Sequence, residues 1–236
     1  MRHSEKGSAG HVWGLCGAVR TRRIRPRRTD DGLFSPNPPS LVDSMTDFLA
    51  LVTVMVWPVI PLFWIPVHEF PRLFRRLGKL TYIMPAVLWP PLAYVIFIGR
   101  DLLLHYRFDL PLSVRIAGAF LLAAGIALQI RTGVLLSLRG LMGIPEISPG
   151  TSDRLVREGV FSVVRHPTYL SHTMMLTGMF LLTSVAAVGI VALLDFTVIN
   201  AFVIPLEERE LFTRFGADYV EYRKEVPRYF PRIGKK

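Results

Sequence analysis

Arg165-His166-Pro167-Thr168-Tyr169 opens a charge-poor run that reaches Ile204, and Glu207-Glu208-Arg209-Glu210-Leu211 follows almost at once. Between 169 and 204 the only formally charged side chain is Asp195. That run is too long for one crossing helix, which needs roughly 20 apolar residues. It therefore reads as two helices joined by a tight turn near 183–188. A helical hairpin returns the chain to the side it left, so the basic cluster and the acidic pair come to the same membrane edge. Ionisable groups there are costly to desolvate, and a patterned set of them marks a functional site by default.

The rest of the chain fits this frame. Of its 236 residues 51% are hydrophobic, and the mean hydropathy is +0.38. This is too apolar for an ordinary soluble domain and suits a small polytopic membrane protein, an all-α bundle. The formal charge is +10, with 28 Lys and Arg against 18 Asp and Glu. The excess fits loop orientation better than nucleic-acid binding, and no aromatic-and-basic nucleic-acid module is visible. Cys16 is the only cysteine, which excludes an intrachain disulfide and cysteine-rich metal sites. The six histidines show no ligand spacing such as H-E-x-x-H, so no metal is expected.

Residues 1–44 are polar and rich in Arg, Pro, Gly and Ser, and read as a disordered basic extension. Three spans are expected at about 48–67, 80–99 and 112–136. The two helices of 169–204 bring the number to about five. Pro58, Pro61 and Pro66 should kink the first span, and Pro85, Pro90 and Pro91 fall in the second. The organisation is thus the extension, a first set of helices over 45–138, and a catalytic region over 139–236 that ends in a cytoplasmic tail from 205. Lys and Arg concentrate around 72–79, around 139–165 and in the tail, which places those segments in the cytoplasm. With five spans the N-terminus would lie outside, where an Arg-rich stretch does not belong. Residues 1–44 are therefore expected to be a mis-assigned or removable extension, the mature chain starting near Met45.

Pro167 suits the first turn of a helix, where its missing N–H costs nothing. His166 is a poor cap compared with Asn, Ser or Asp, which leaves its side chain for another use. His166, Tyr169 and His172 follow at intervals of three and share a helical face. The free N–H groups of this helix start, with Arg165, suit an anion such as a carboxylate; alternatively Arg165 snorkels to phosphates and Tyr169 is an interface aromatic. Glu207 and Glu208 want a cationic or hydroxyl partner, supplied by protein arginines or by a ligand ammonium or ribose. Beyond them Leu211, Phe215, Tyr219 and Tyr222 form one stripe of an amphipathic helix interrupted at Gly216, and Val226-Pro227-Arg228 ends it in an extended segment. An anion site and a carboxylate pair together suit a zwitterion. Asp195 is a candidate partner for Arg131 or a lining group of a tunnel for a second substrate.

The ordered set Leu155-Val156-Arg157-Glu158-Gly159-Val160-Phe161, Arg165-His166-Pro167-x-Tyr169-Leu170, Glu207-Glu208-x-x-Leu211, Phe215-Gly216-x-x-Tyr219-x-x-Tyr222 and Val226-Pro227-Arg228 resembles the isoprenylcysteine carboxyl methyltransferase and phospholipid N-methyltransferase superfamily. The resemblance covers roughly residues 140–232. It implies an integral membrane methyltransferase using S-adenosylmethionine. It implies a cofactor pocket lined by His166, Pro167, Tyr169, Glu207, Glu208, Leu211 and Tyr219, and it puts Arg165 near the reacting centre. His172 is a further catalytic candidate, as histidine is a common proton shuttle. The acceptor would be lipophilic (an isoprenoid carboxylate, a lipid amine or a small thiol) and would enter from the bilayer, while the cofactor enters from the cytoplasm. Family members often carry glycine where this chain has Ser171. Prenylcysteine-specific members have cations just before the glutamate pair, where this chain has Val203-Ile204-Pro205-Leu206. A Tyr-Arg-Tyr-like stretch before the first motif is here Phe161-Ser162-Val163.

Two other functions compete. One is a membrane reductase of the sterol-reductase type using NADPH. That group usually carries an Arg-Asp pair and a Trp-x-x-Tyr-Cys run where this chain has Glu207-Glu208 and Tyr219-Val220-Glu221-Tyr222-Arg223. The other is an inactive membrane protein that keeps the fold, against which stands the intact set Arg165, His166, Tyr169, Glu207 and Glu208. The sequence leaves the oligomeric state open.

Overall fold

Helices form wherever the hydrophobic segments run, because a backbone in lipid has to satisfy its own hydrogen bonds. The computed structural model describes residues 41–141 and 154–229, together with the backbone of Arg25–Pro26. The expected extension over 1–44 falls outside the described residues, apart from that two-residue strand, β1, and the start of the first helix. β1 pairs antiparallel with Tyr106–Arg107, β2. The fold is an all-α bundle of the class expected.

The first rod consists of α1 (Leu41–Val56) and α2 (Val59–Glu69), which are separated at Trp57 and Pro58. α1 begins four residues before Met45, inside the stretch read as disordered. The break falls at the first of the three prolines expected to bend this rod. The Met55 carbonyl, in the last turn of α1, accepts the indole N–H of Trp89 at 2.7 Å. After an elbow at Phe70 come α3 (Pro71–Leu77), a short 3₁₀ turn, and α4 (Ile83–Ile98), which continues through Pro90 and Pro91. α5 (Arg100–His105) and β2 lead to α6 (Leu112–Leu141), whose backbone breaks at Ser137.

α7 (Pro167–Thr183) and α8 (Ala186–Val198) form the hairpin, with left-handed Ser184 and extended Val185 at its tip. The last rod does not stop near Ile204. α8 passes through a π turn, Ile199–Val203, into α9 (Ile204–Phe215), so hydrophobic helix and acidic motif are continuous. Pro205 supplies the reason: a proline inside a helix removes one hydrogen bond and crowds the preceding turn, and a wider π turn relieves both. Gly216, at φ +53°, then separates α9 from α10 (Ala217–Glu225). The tyrosine stripe is thus divided between two helices.

Among the described residues four stretches are long and apolar enough to cross a bilayer: Leu41–Glu69, Pro71–Ile98, Leu112–Ser137 and Ala186–Phe215. α7, with 17 residues, is about 25 Å long and sits at the short end of the crossing range. Large apolar side chains such as Tyr94, Phe120, Val134 and Leu193 are exposed, as lipid-facing residues should be.

α6 and α7 pack most closely. A Cβ at Gly178 would lie 2.5 Å from the Leu122 amide nitrogen and 2.8 Å from the Gly118 carbonyl oxygen. In lipid such backbone proximity replaces the hydrophobic drive that joins helices in water. About two turns nearer the start of α7, the buried Ser171 hydroxyl lies against Gln129 Oε1 and 2.6 Å from the Thr168 carbonyl, so this serine adds a polar tie between the same helices. The hairpin tip is held at the opposite end from Arg165, where the Phe108 amide donates to the Ser184 carbonyl at 2.8 Å and Arg107 pairs with Asp47.

Gly178→Ala should lower the stability of the detergent-purified protein by about 1–3 kcal/mol through overpacking. Gly99→Ala, where a Cβ meets nothing nearer than 3.6 Å, should leave the melting temperature unchanged. Equal melting of both variants would disprove the close α6–α7 contact.

Candidate functional site

Four side chains from two distant segments meet where α7 starts. Pro167 occupies its first turn, and His166 stands at the cap with φ −121° and ψ 61° but makes no capping bond. Its ring instead reaches the acidic motif: Nε2 lies 3.2 Å from Glu208 Oε1 and Nδ1 lies 3.4 Å from Glu207 Oε2. An Arg165 terminal nitrogen donates to the same Glu208 Oε1 at 3.0 Å. Arg228 approaches Glu208 Oε2 at 3.7 Å. Glu208 is only 8% exposed, and a carboxylate buried this deeply requires such partners.

Arg165 also holds the tail. Its second terminal nitrogen donates to the Arg223 carbonyl at 2.9 Å and to the Val226 carbonyl at 2.6 Å. The backbone follows, with Arg165 N–H to the Pro227 carbonyl at 2.9 Å and His166 N–H to the Arg228 carbonyl at 3.4 Å. The extended segment after α10 therefore lies against the first motif and covers it. Arg165, expected to serve an anion site, and Glu208 of the carboxylate pair are in direct contact.

Tyr169 is buried among Ile199, Val203 and Ile204, with Trp64 packed alongside. Its ring centroid lies 5.8 Å from that of His166, and its side chain hydrogen-bonds Glu207. Leu211 belongs to a second cluster, with Tyr219, Tyr222 and Val226. The Tyr222 hydroxyl donates to the Phe161 carbonyl at 2.7 Å, tying α10 to the segment before the first motif. Tyr219 is 1% exposed, and its hydroxyl has no hydrogen-bond partner among the described residues. Burial, followed by the nearby charge of Glu208, pushes the Tyr219 phenol above its ordinary range and keeps it a neutral donor. Arg165 Nε is likewise buried without a hydrogen bond among the described residues. Two unsatisfied donors beside one ion-pair cluster favour a polar ligand.

His172 stands apart from this cluster, one turn further along α7, with a buried Nδ1 that has no partner among the described residues. Asp195 Oδ1 accepts from the Trp57 indole at 2.9 Å, the contact the structure gives it in place of Arg131. His68 was not legible in the sequence. It is a buried histidine at the end of α2, bonded through Nδ1 to Glu210 at 2.9 Å. Nothing near it in the chain marks it, since its partner is 142 residues away.

His166 carries the pH response of the site. Burial alone would lower its pKa, but hydrogen bonds and charge from Glu207 and Glu208 outweigh that and raise it above 6.5. The folded state then holds the proton more tightly than the unfolded chain. The stabilisation is complete below about 6.5 and fades as pH rises through the higher folded value. The melting temperature of the wild type should therefore fall, relative to His166→Gln, as pH increases above that point. Parallel curves would show that the imidazolium is not the stabilising form.

Residues 114–218 match the phospholipid methyltransferase family. The matched stretch includes Arg165, His166, Tyr169, Glu207 and Glu208 and stops one residue before Tyr219. The chain is 33% identical over 87 residues to the cobalt-zinc-cadmium resistance protein CzcN of Cupriavidus metallidurans, covering 37% of this chain and 40% of that protein. It is 30% identical over 107 residues to protein-S-isoprenylcysteine O-methyltransferase B of Arabidopsis thaliana, covering 44% of this chain and 52% of that enzyme. The chain thus spans about half the length of these relatives or less. Together the matches support a place for this chain in the isoprenylcysteine carboxyl and phospholipid methyltransferase superfamily of membrane proteins.

Proposed function

We propose that this protein is an integral membrane methyltransferase that transfers a methyl group from S-adenosylmethionine to a lipophilic acceptor. One observation carries this reading: Arg165, His166, Glu207 and Glu208 converge at contacts of 3.0–3.4 Å at the end of a membrane hairpin, with the Tyr219 hydroxyl, which has no hydrogen-bond partner among the described residues, beside them. Glu207, Tyr219 and Tyr169 are the groups suited to the cofactor's ammonium and ribose hydroxyls, and the Arg165 Nε–H is suited to its carboxylate. When bound, the cofactor supplies an electrophilic methyl on a sulfonium.

The side chains position more than they react. Methyl transfer is an in-line displacement, so its rate depends on holding two partners in line. His166, locked between two glutamates, fixes the direction of both carboxylates. The Val226–Arg228 segment, bonded to the backbone of Arg165 and His166, excludes water and strengthens every polar contact beneath it. His172 faces the apolar side of this arrangement in our reading, where a proton acceptor would serve an acidic acceptor group. The catalytic face is assigned to the cytoplasm, supported by the Arg and Lys excess at that end of the bundle. The acceptor is an isoprenoid carboxylate, a lipid amine or a small thiol.

Calorimetric titration of the detergent-purified full chain tests the reading. S-adenosylmethionine and its demethylated product should bind, and NADPH should not. Tyr219→Phe should weaken S-adenosylmethionine about fivefold, the worth of one hydrogen bond at about 1 kcal/mol, without lowering the melting temperature. Glu207→Gln should weaken it at least tenfold. Binding of NADPH in place of S-adenosylmethionine would overturn the assignment in favour of a reductase.

A further inference from the structure

The elbow between α2 and α3 encloses a cavity of about 330 Å³ against α9. Arg72, Arg75, Arg209 and Arg214 line it, against the carboxylates of Glu69 and Glu210. Glu210 is already committed, for it is buried and holds His68 at 2.9 Å, Arg75 at 3.2 Å and Arg214 at 3.5 Å. These contacts neutralise Glu210 and fix two guanidinium groups in the wall. Arg72 and Arg209 are exposed and make no ion pair among the described residues. Glu69 is also exposed without one. Positive charge is therefore in excess, and its least committed part sits at the mouth.

α3 sets the depth of that mouth. Phe70 is 57% exposed, Leu73 52% and Leu77 39%, at spacings of three and four, and Leu80 continues the row at 61%. Arg72, Arg75, Arg76 and Lys79 are interleaved with them, all exposed. A short helix that presents an apolar row flanked by cations lies in the membrane interface, its leucines toward the acyl chains and its guanidiniums at the level of the phosphates. The cavity thus opens where lipid headgroups are.

We propose that this cavity binds the anionic headgroup of a membrane lipid, with Arg72 and Arg209 as ligands to its phosphate. Guanidinium is the side chain best matched to a phosphate, because its planar fork donates two parallel bonds. Arg75 and Arg214, each paired with Glu210, line the wall beside them. The volume admits a phosphate and its glycerol but not acyl chains, which lie outside along Phe70 and Leu73. The site is separate from the His166–Glu207–Glu208 cluster, whose side chains do not line it, and it holds whether or not the methyl-transfer reading does.

The test uses the full chain in a neutral detergent, titrated with dihexanoyl phosphatidic acid and separately with inorganic phosphate, with binding followed by native mass spectrometry. Phosphatidic acid should bind saturably at one site. Arg72→Gln combined with Arg209→Gln should weaken it at least tenfold while leaving the melting temperature unchanged, as neither side chain has an ion-pair partner among the described residues. Arg100→Gln, an exposed arginine at the other end of the bundle, should have no effect. Undiminished binding in the double variant, or equal loss in Arg100→Gln, would overturn the site. Inorganic phosphate binding as tightly as phosphatidic acid would overturn the lipid assignment.

Discussion

A carboxylate buried at a membrane edge does not stand alone, and Glu208 is the group on which this structure turns. Removing water from it is tolerable only because Arg165 and His166 reach it from the start of α7 and Arg228 approaches from the tail. Satisfying one charge therefore fixes three pieces of chain: the loop entering the hairpin, the helix leaving it, and the extended segment after α10. The hairpin makes this possible by returning α9 to the level at which α7 began. The glycine contact between α6 and α7 anchors the hairpin in turn, so close helix packing in the bilayer underlies polar geometry at its edge.

The hairpin and the motifs on either side of it were legible in the sequence. Hydrophobic run length and the positions of ionisable residues are strong local signals, and a run broken only by Asp195 allows few folds. The placement of His166, Glu207 and Glu208 at the same end of the bundle followed from the same pattern; their direct contact did not. Contacts between distant segments were not legible. Arg165 spends its terminal nitrogens on the Arg223 and Val226 carbonyls as well as on Glu208, which no side-chain motif records because the acceptors are backbone. The His68–Glu210 pair joins residues whose neighbours in sequence give no hint of each other. Asp195 accepts from Trp57, a neutral donor, where the sequence offered Arg131 as a partner or a place lining a tunnel.

Pro205 shows a subtler limit. Periodicity placed a helix end near Ile204, since proline and glutamate follow an apolar run there. The chain instead widens into a π turn and continues, which keeps the two glutamates on a rigid element. A rigid support holds a carboxylate in one direction better than a loop would.

The tail segment of Val226 to Arg228 has a consequence for how the protein is made. Its carbonyls complete the surroundings of Arg165 and His166, and it follows every described membrane helix in the order of synthesis. Those helices can thus be inserted in the bilayer before the polar cluster is complete, and Glu208 gains its full set of partners only after the segment beyond α10 has been made. A chain interrupted before Val226 would keep its membrane helices yet lack the Val226, Pro227 and Arg228 carbonyls that Arg165 and His166 require. Loss of this short segment would act on the protein as a lesion of its buried centre.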